Sequence, residues 1–241
     1  MIVNIDARQI EWVCAVYWSQ DQIGIDEILN EKDIHEDNQT RFKLPTRLAA
    51  KTLLFRTIYG GTGYSFATDP EFSNFGGESW WDEKVARFYE KYKGLHSWHE
   101  RLYHGVVLDN GKLILSTGRQ YQFTPLRSRS SGLQTYPRTK ILNYPVQGLA
   151  ADLMAIARVS LHKRLKAMNL NGILFCNTVH DSIVLDIDNK KLDILPELCY
   201  TIYKVFEDIP NNFNRLFGLE FNLPIRAEIS YGKNWGDMET I

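Results

Sequence analysis

Between Ile173 and Ile187 the chain carries two apolar, strand-like runs, Ile173 to Val179 and Ser182 to Leu185, separated only by the polar pair His180-Asp181. Two such runs joined by two polar residues predict a β-hairpin with the pair at its tip, so the fold must contain an antiparallel sheet. Taken alone, a His-Asp pair is more often a turn dipeptide than a site. A second carboxylate shifts that balance, because Asp6 closes another apolar strand, Ile2 to Ile5. If the strands share a sheet, both carboxylates reach one place, and such a pair suits Mg²⁺, a hard cation held by one or two carboxylates plus substrate phosphates.

The rest of the chain reads as helices around that sheet. Ile10, Val13, Cys14, Val16 and Tyr17 recur with helical spacing, whereas residues 20 to 45 are polar and carry the turn-like Gln20-Asp21-Gln22 and the Lys32-Asp33-Ile34-His35 segment. Pro45 opens a helix from Thr46 to about Tyr59, and Gly60-Gly61 ends it. Gly61 to Asn74 reads as a loop, and Trp80 to Tyr103 as one or two amphipathic helices. Gly105 to Phe123 reads as a hairpin, with Val106 to Leu108 and Lys112 to Ser116 flanking Asp109-Asn110-Gly111. Pro145 to Leu165 and Leu192 to Phe206 read as helices, and Pro224 to Ser230 as a strand before a polar tail. The sum is an α+β chain whose small antiparallel sheet carries residues 1 to 8, 173 to 187 and 224 to 230. The helical middle forms a separate lobe.

Composition removes several function classes. With 28 Lys+Arg against 29 Asp+Glu, the chain is not a generally basic DNA-coating protein. At 44% apolar residues it can bury a sizeable core, which excludes global disorder. No run approaches the roughly 20 apolar residues of a membrane span, and Met1 opens directly onto a strand, so a soluble, non-exported, cytoplasmic protein is expected. Cys14, Cys176 and Cys199 are too few and too scattered for a disulfide framework or a CxxC metal site.

Local charge is more informative. From Asn110 to Ala151 there are six cations, Lys112, Arg119, Arg127, Arg129, Arg138 and Lys140, and no acid, which is +6 over 42 residues. Tyr121, Phe123, Tyr136 and Tyr144 interleave with them, a pattern suited to tracking phosphates and stacking on bases; a solvated basic face is the plainer alternative. Asn143 and Gln147 follow near a helix start, where amides can meet base edges or simply cap the backbone. Arg47, Lys51, Phe55 and Tyr59, spaced by four, share one stripe of a helix. Arg offers a fork of donors and Lys a point charge, which together suit a polyphosphate, with an aromatic further along for a sugar or base. The competing reading is a basic edge beside core aromatics. A lone His35, after Lys32-Asp33-Ile34, is most often a surface residue.

In order, Asp6-Ala7-Arg8-Gln9-Ile10-Glu11, Lys32-Asp33-Ile34-His35, Arg47 with Lys51, Phe55 and Tyr59-Gly60, Asn143-Tyr144-Pro145-Val146-Gln147-Gly148 and Val179-His180-Asp181 resemble the motifs of family A DNA polymerases, the bacterial DNA polymerase I type. Ser230-Tyr231-Gly232-Lys233-Asn234-Trp235 resembles the close of that family's polymerase domain. The resemblance implies a right-hand architecture without its thumb: palm at 1–28 and 138–241, and fingers at 29–137. It implies template-directed transfer of a deoxynucleotide to a primer 3′-hydroxyl, with Asp6, Asp181 and the main-chain carbonyl of Ala7 holding two Mg²⁺ ions and Lys51 passing a proton to the pyrophosphate. His35, Arg47 and Lys51 would contact the incoming triphosphate, and Gln9, Phe55 and Tyr59 would complete the nucleotide site. Glu11 would crowd a ribose 2′-hydroxyl, which argues against a single-subunit RNA polymerase. Asn143, Gln147, His180, Arg138, Lys140 and Arg119 would contact primer-template DNA.

Three positions depart from the family pattern. Ser182 stands where many members have Glu, Arg8 replaces a Ser, and Thr139 stands where a basic residue is expected four before Asn143. Since the thumb and first palm strands precede the Asp6 strand in the family, the expectation is one subunit of a split polymerase, of phage or other viral origin and then in the host cytoplasm. A second subunit would supply the thumb, and the missing strands would leave an apolar sheet edge exposed. A shortened piece of a longer chain is the other origin considered. A catalytically silent nucleic-acid-binding or scaffold subunit is the alternative function.

Overall fold

The structure, a computed structural model, describes residues 1–127, 132, 134–168 and 172–241. It divides into two compact units, one of Met1–Val13 with Gly148–Ile241 and the other Cys14–Gln147. The segments read from motifs, 1–28, 29–137 and 138–241, follow a different criterion. The chain passes between the compact units within helices α1 (Ile10–Ser19) and α8 (Arg138–Ala167).

The first unit is built on a five-stranded antiparallel sheet of order β6-β7-β1-β8-β9. Its strands are β1 (Ile2–Ala7), β6 (Ile173–Val179), β7 (Ser182–Ile187), β8 (Ala227–Gly232) and β9 (Met238–Thr240). Strand β1 shows period-two burial: Val3, Ile5 and Ala7 are fully buried, while Ile2, Asn4 and Asp6 take the other, half-exposed face. Nearly every residue of β7 is buried, as befits an interior strand. Edge strand β6 leaves Leu174 and Val179 exposed at 64% and 42%. Helix α9 (Leu195–Glu207) buries Leu198, Ile202, Val205 and Phe206 along one stripe, and α10 (Ile209–Phe217) sets Phe213 against Phe217 and Phe221. Neither α10 nor β9 is read from the sequence, and each is short, nine and three residues.

The second unit holds α2 (Gln22–Leu29), α3 (Ile34–Phe42), α4 (Arg47–Ile58), α5 (Gly63–Ala67), α6 (Glu78–Lys91) and α7 (Lys93–Leu108). It also holds two small ribbons, β2 (Lys112–Ile114) with β3 (Gln120–Gln122), and β4 (Leu126–Arg127) with β5 (Gln134–Thr135). Helices α2 and α3 occupy the polar stretch 20 to 45, and each takes in part of a segment expected to be turn-like. Their starts are capped by Asp21 and Asp33, whose carboxylates accept main-chain amides. The aromatic core is dense: Phe66 stacks on Trp81 at 4.5 Å, and Phe88 lies 4.7 Å from Tyr92.

Buried polar groups tie these helices together. Lys91 Nζ lies 2.7 Å from Glu27 Oε1 and donates to Asp37 Oδ2 and Asn38 Oδ1 at 2.6 Å each, and the Tyr92 hydroxyl donates to Glu27 at 2.9 Å. Burial raises the Glu27 carboxyl, against the pull of Lys91.

Other expectations need correction as well: the stretch from Gly61 to Asn74 read as a loop contains helix α5. Val106 to Leu108 is the last turn of α7, and the hairpin forms downstream instead. Asn110 and Gly111 adopt the left-handed region, with the Gly111 amide donating to Val106 O at 2.8 Å, so the sequence that reads as a hairpin turn ends a helix. Helix α8 begins at Arg138, seven residues before Pro145, and continues through the proline. Asn143 and Gln147 therefore lie inside a helix.

Candidate functional site

In the first unit, Val179 pairs with Ser182, leaving His180 and Asp181 as a two-residue hairpin tip. His180 takes a left-handed φ of 51°, as tight hairpin turns require. Strand β1 pairs with β7 so that Asp6 faces Ser182, and the Ala7 amide donates to Asp181 O at 2.9 Å. Register alone thus brings Asp6, Ala7 and Asp181 to one end of the sheet. Ser182 is buried and turns its hydroxyl to Val179 O at 3.0 Å, so it offers no carboxylate.

A residue missed in the sequence lies on the other side. Glu228 is the β8 partner of Asp6 and, as a cross-strand neighbour, shares its face. Like charges directly opposite each other repel, which a divalent cation would relieve. The only sequence signal was the position of Glu228 in a strand whose register to β1 was not yet known. Gln9, at φ 54°, and half-buried Glu11 follow at the turn into α1.

Among the described residues no group of three or more His, Cys, Asp or Glu side chains is placed to hold a metal. The two carboxylates and the main-chain carbonyl at these strand ends are all oxygen donors, the kind that suits Mg²⁺ when substrate oxygens complete the shell.

The second unit gathers the cations. Thr46 caps α4 by accepting the Ala49 amide at 3.0 Å, and Arg47 is the first helical residue. Arg47 and Lys51 are exposed, Lys51 Nζ lies 6.0 Å from the Phe55 ring centroid, and the His35 and Phe55 centroids are 6.3 Å apart. His35 is no surface histidine: only 5% is exposed and its Nδ1 is buried without a partner. Burial, reinforced by Arg47 and Lys51, lowers its pKa to about 4, so it is neutral at pH 7 and offers one N–H rather than a charge.

At the far end of α4, the Tyr59 hydroxyl accepts from Gln147 Nε2 at 2.6 Å. Gly60 has φ +76°, a left-handed conformation that favours glycine, and a Cβ there would lie 2.8 Å from Leu142 Cδ1, so that side chain would have to shift. A hollow of about 480 Å³ adjoins Tyr59, Gly61, Asp69 and Thr139. Arg56 anchors its wall by donating to Ser65 O at 2.6 Å and pairing with Asp69.

The cationic stretch looks different in space. Arg138 pairs with Glu100 at 2.5 Å and lies over the Tyr103 ring, so an acid from outside the stretch compensates it. Phe123 and Tyr136 are buried core residues, and Tyr121 packs on Tyr144 at 5.5 Å, so these aromatics are occupied with one another. Lys140 is exposed and Arg119 half-exposed before β3, while Arg129 lies outside the described residues.

No helix among the described residues is long and apolar enough to cross a membrane. The family model described as DNA polymerase family A matches residues 1–237. The chain is 24% identical over 245 residues to DNA polymerase I of Caldicellulosiruptor bescii, covering 98% of this chain and 26% of that protein. It is 26% identical over 248 residues to the thermostable DNA polymerase I of Thermus filiformis, covering 98% and 27%. The chain thus spans about a quarter of these relatives' length. Its fold is similar to the POL domain of Pol1 from M. smegmatis, solved in complex with DNA primer-template and dNTP, with a TM-score of 0.76 and 19% identity over 97% of this chain and 40% of that one.

Proposed function

The chain belongs to DNA polymerase family A, and from that premise we propose that it takes part in template-directed DNA synthesis, extending a primer with deoxynucleoside triphosphates. The primer 3′-oxygen forms a bond to the α-phosphorus as the bond to the pyrophosphate oxygen breaks. Asp6 and Asp181, with the Ala7 carbonyl, would hold two Mg²⁺ ions, which when bound would activate the 3′-hydroxyl and neutralise the leaving charge. Arg47 and Lys51 bind the triphosphate, Lys51 gives a proton to the departing pyrophosphate, and neutral His35 donates one hydrogen bond.

Gln9 and Glu11 border the sugar, with Glu11 excluding a 2′-hydroxyl, while Phe55 and Tyr59 meet the sugar and base. Asn143, Gln147 and His180 meet the primer-template, with Arg119, Arg138 and Lys140 on its phosphates. Segments 1–28 and 138–241 act as palm and 29–137 as fingers, in a cytoplasmic setting. The observation that carries the reading is the β1–β7 register, which sets Asp6 opposite Ser182 beside Asp181.

Primer extension on a primed DNA template with Mg²⁺ and deoxynucleotides tests it, using the chain alone and supplemented with the products of neighbouring reading frames. Extension in either arm supports the reading, and extension only in the second supports a two-subunit enzyme. Silence in both overturns it in favour of a non-catalytic nucleic-acid-binding subunit.

A further inference from the structure

Resting on the reading of Arg47 as a triphosphate ligand, we propose that Asp33 is a positioning residue that sets Arg47 and His35 in place for the phosphates. One carboxylate serves two helix starts. Asp33 Oδ1 accepts the amides of His35 at 3.0 Å and Glu36 at 3.1 Å, which caps α3 and fixes the backbone that carries the His35 ring. The same carboxylate receives Arg47 Nη2, at 2.9 Å on Oδ2 and 3.1 Å on Oδ1, from the first residue of α4. Burial alone would raise the Asp33 carboxyl, but the Glu36 amide and the Arg47 guanidinium outweigh it and hold it below the usual range, so it stays ionised.

Three features make this an orienting contact rather than only a helix cap. Both bonds leave from Nη2, and a guanidinium carries five N–H donors, so the three on Nε and Nη1 remain for an anion while Asp33 holds Nη2. The buried Nδ1 of His35 has no partner, and its ring is held between α3 and Phe55 of α4, the pair of elements that Asp33 joins. Arg47 does not need Asp33 to fold, because Thr46 caps α4 independently. Preorganising a flexible arginine lowers the ordering cost of binding.

Calorimetric titration of the chain with Mg-dATP separates the roles. Asn is as good an N-cap as Asp, so Asp33→Asn keeps α3 but loses the ion pair. The exposed pair predicts dATP binding weakened about three- to five-fold with an unchanged unfolding midpoint. Arg47→Ala weakens binding about ten-fold or more. The double variant is no weaker than Arg47→Ala alone, because Asp33 acts through Arg47. If Arg47→Ala weakens binding and Asp33→Asn does not, or if the two losses multiply, the positioning role is wrong while the nucleotide site stands. If Arg47→Ala has no effect, or the unaltered chain does not bind dATP, the nucleotide-site reading falls as well.

Discussion

The two units place their chemical groups by different means. In the first, Asp6 and Asp181 are neighbours because β1 and β7 pair in one register, and a slip of one residue would turn every β1 side chain to the other face. In the second, His35 and Arg47 are held by side chains reaching between helices: Asp33 to Arg47, and Lys91 to Glu27, Asp37 and Asn38. Hydrophobic patterning therefore specifies one half of the chemistry and a polar network the other. The first should resist changes of charge and pH that loosen the second.

Removing the cation at the centre of that network sharpens the contrast most. Lys91→Met leaves the buried Glu27 carboxylate without its cation and is expected to cost the second unit about 3–5 kcal/mol, the penalty for breaking a buried pair. Hydrogen exchange should show α2, α3 and α6 losing protection while β1 and β7 keep theirs. Equal loss in both units would contradict the division.

Acid should act next most strongly. His35 and His99 have pKa values lowered from 6.5 to about 4 and about 3, both first through burial. A depressed folded-state value means that the unfolded chain binds the proton better. The stability they confer is complete above pH 6.5 and is lost as pH falls toward 4 and then 3. Exchange measured from pH 7 to pH 4 is expected to open the second unit first, and His35→Gln should flatten the upper part of that profile. A first unit that opens at higher pH would break the comparison.

The smallest effect tests the sheet itself. Glu228→Gln removes the like charge opposite Asp6 and is expected to stabilise the first unit by roughly 0.2–1 kcal/mol in metal-free buffer, with a smaller gain when Mg²⁺ is present. Thermal unfolding with and without Mg²⁺ measures both, and destabilisation in metal-free buffer would show that Glu228 makes a favourable contact instead.

What was legible in the sequence follows the same division. The hairpin tip at His180-Asp181 and the strand ending at Asp6 could be read because period-two patterning and a two-residue turn leave little freedom. Glu228 could not be paired with Asp6 until the order of the strands was known. Helix α4 was bounded by Pro45 and Gly60-Gly61, yet α2 and α3 were missed because each buries only one or two apolar side chains, Ile28 in α2 and Ile34 and Phe42 in α3, while capping and the buried Lys91 cluster add to their hold. The cation count from Asn110 to Ala151 overlooked Glu100, and the aromatics interleaved there turned out to pack on one another. Charge close in sequence is a weak guide to charge close in space.

The most direct test of the account is single-nucleotide incorporation by Asp181→Asn, with primer-template affinity measured on the same samples and any required partner present. The account predicts loss of incorporation by roughly 10²- to 10³-fold or more, as for removal of a preorganised electrostatic contact, with DNA affinity nearly unchanged. Incorporation at the unaltered rate would contradict it, because the carboxylate at the hairpin tip would then have no part in the chemistry.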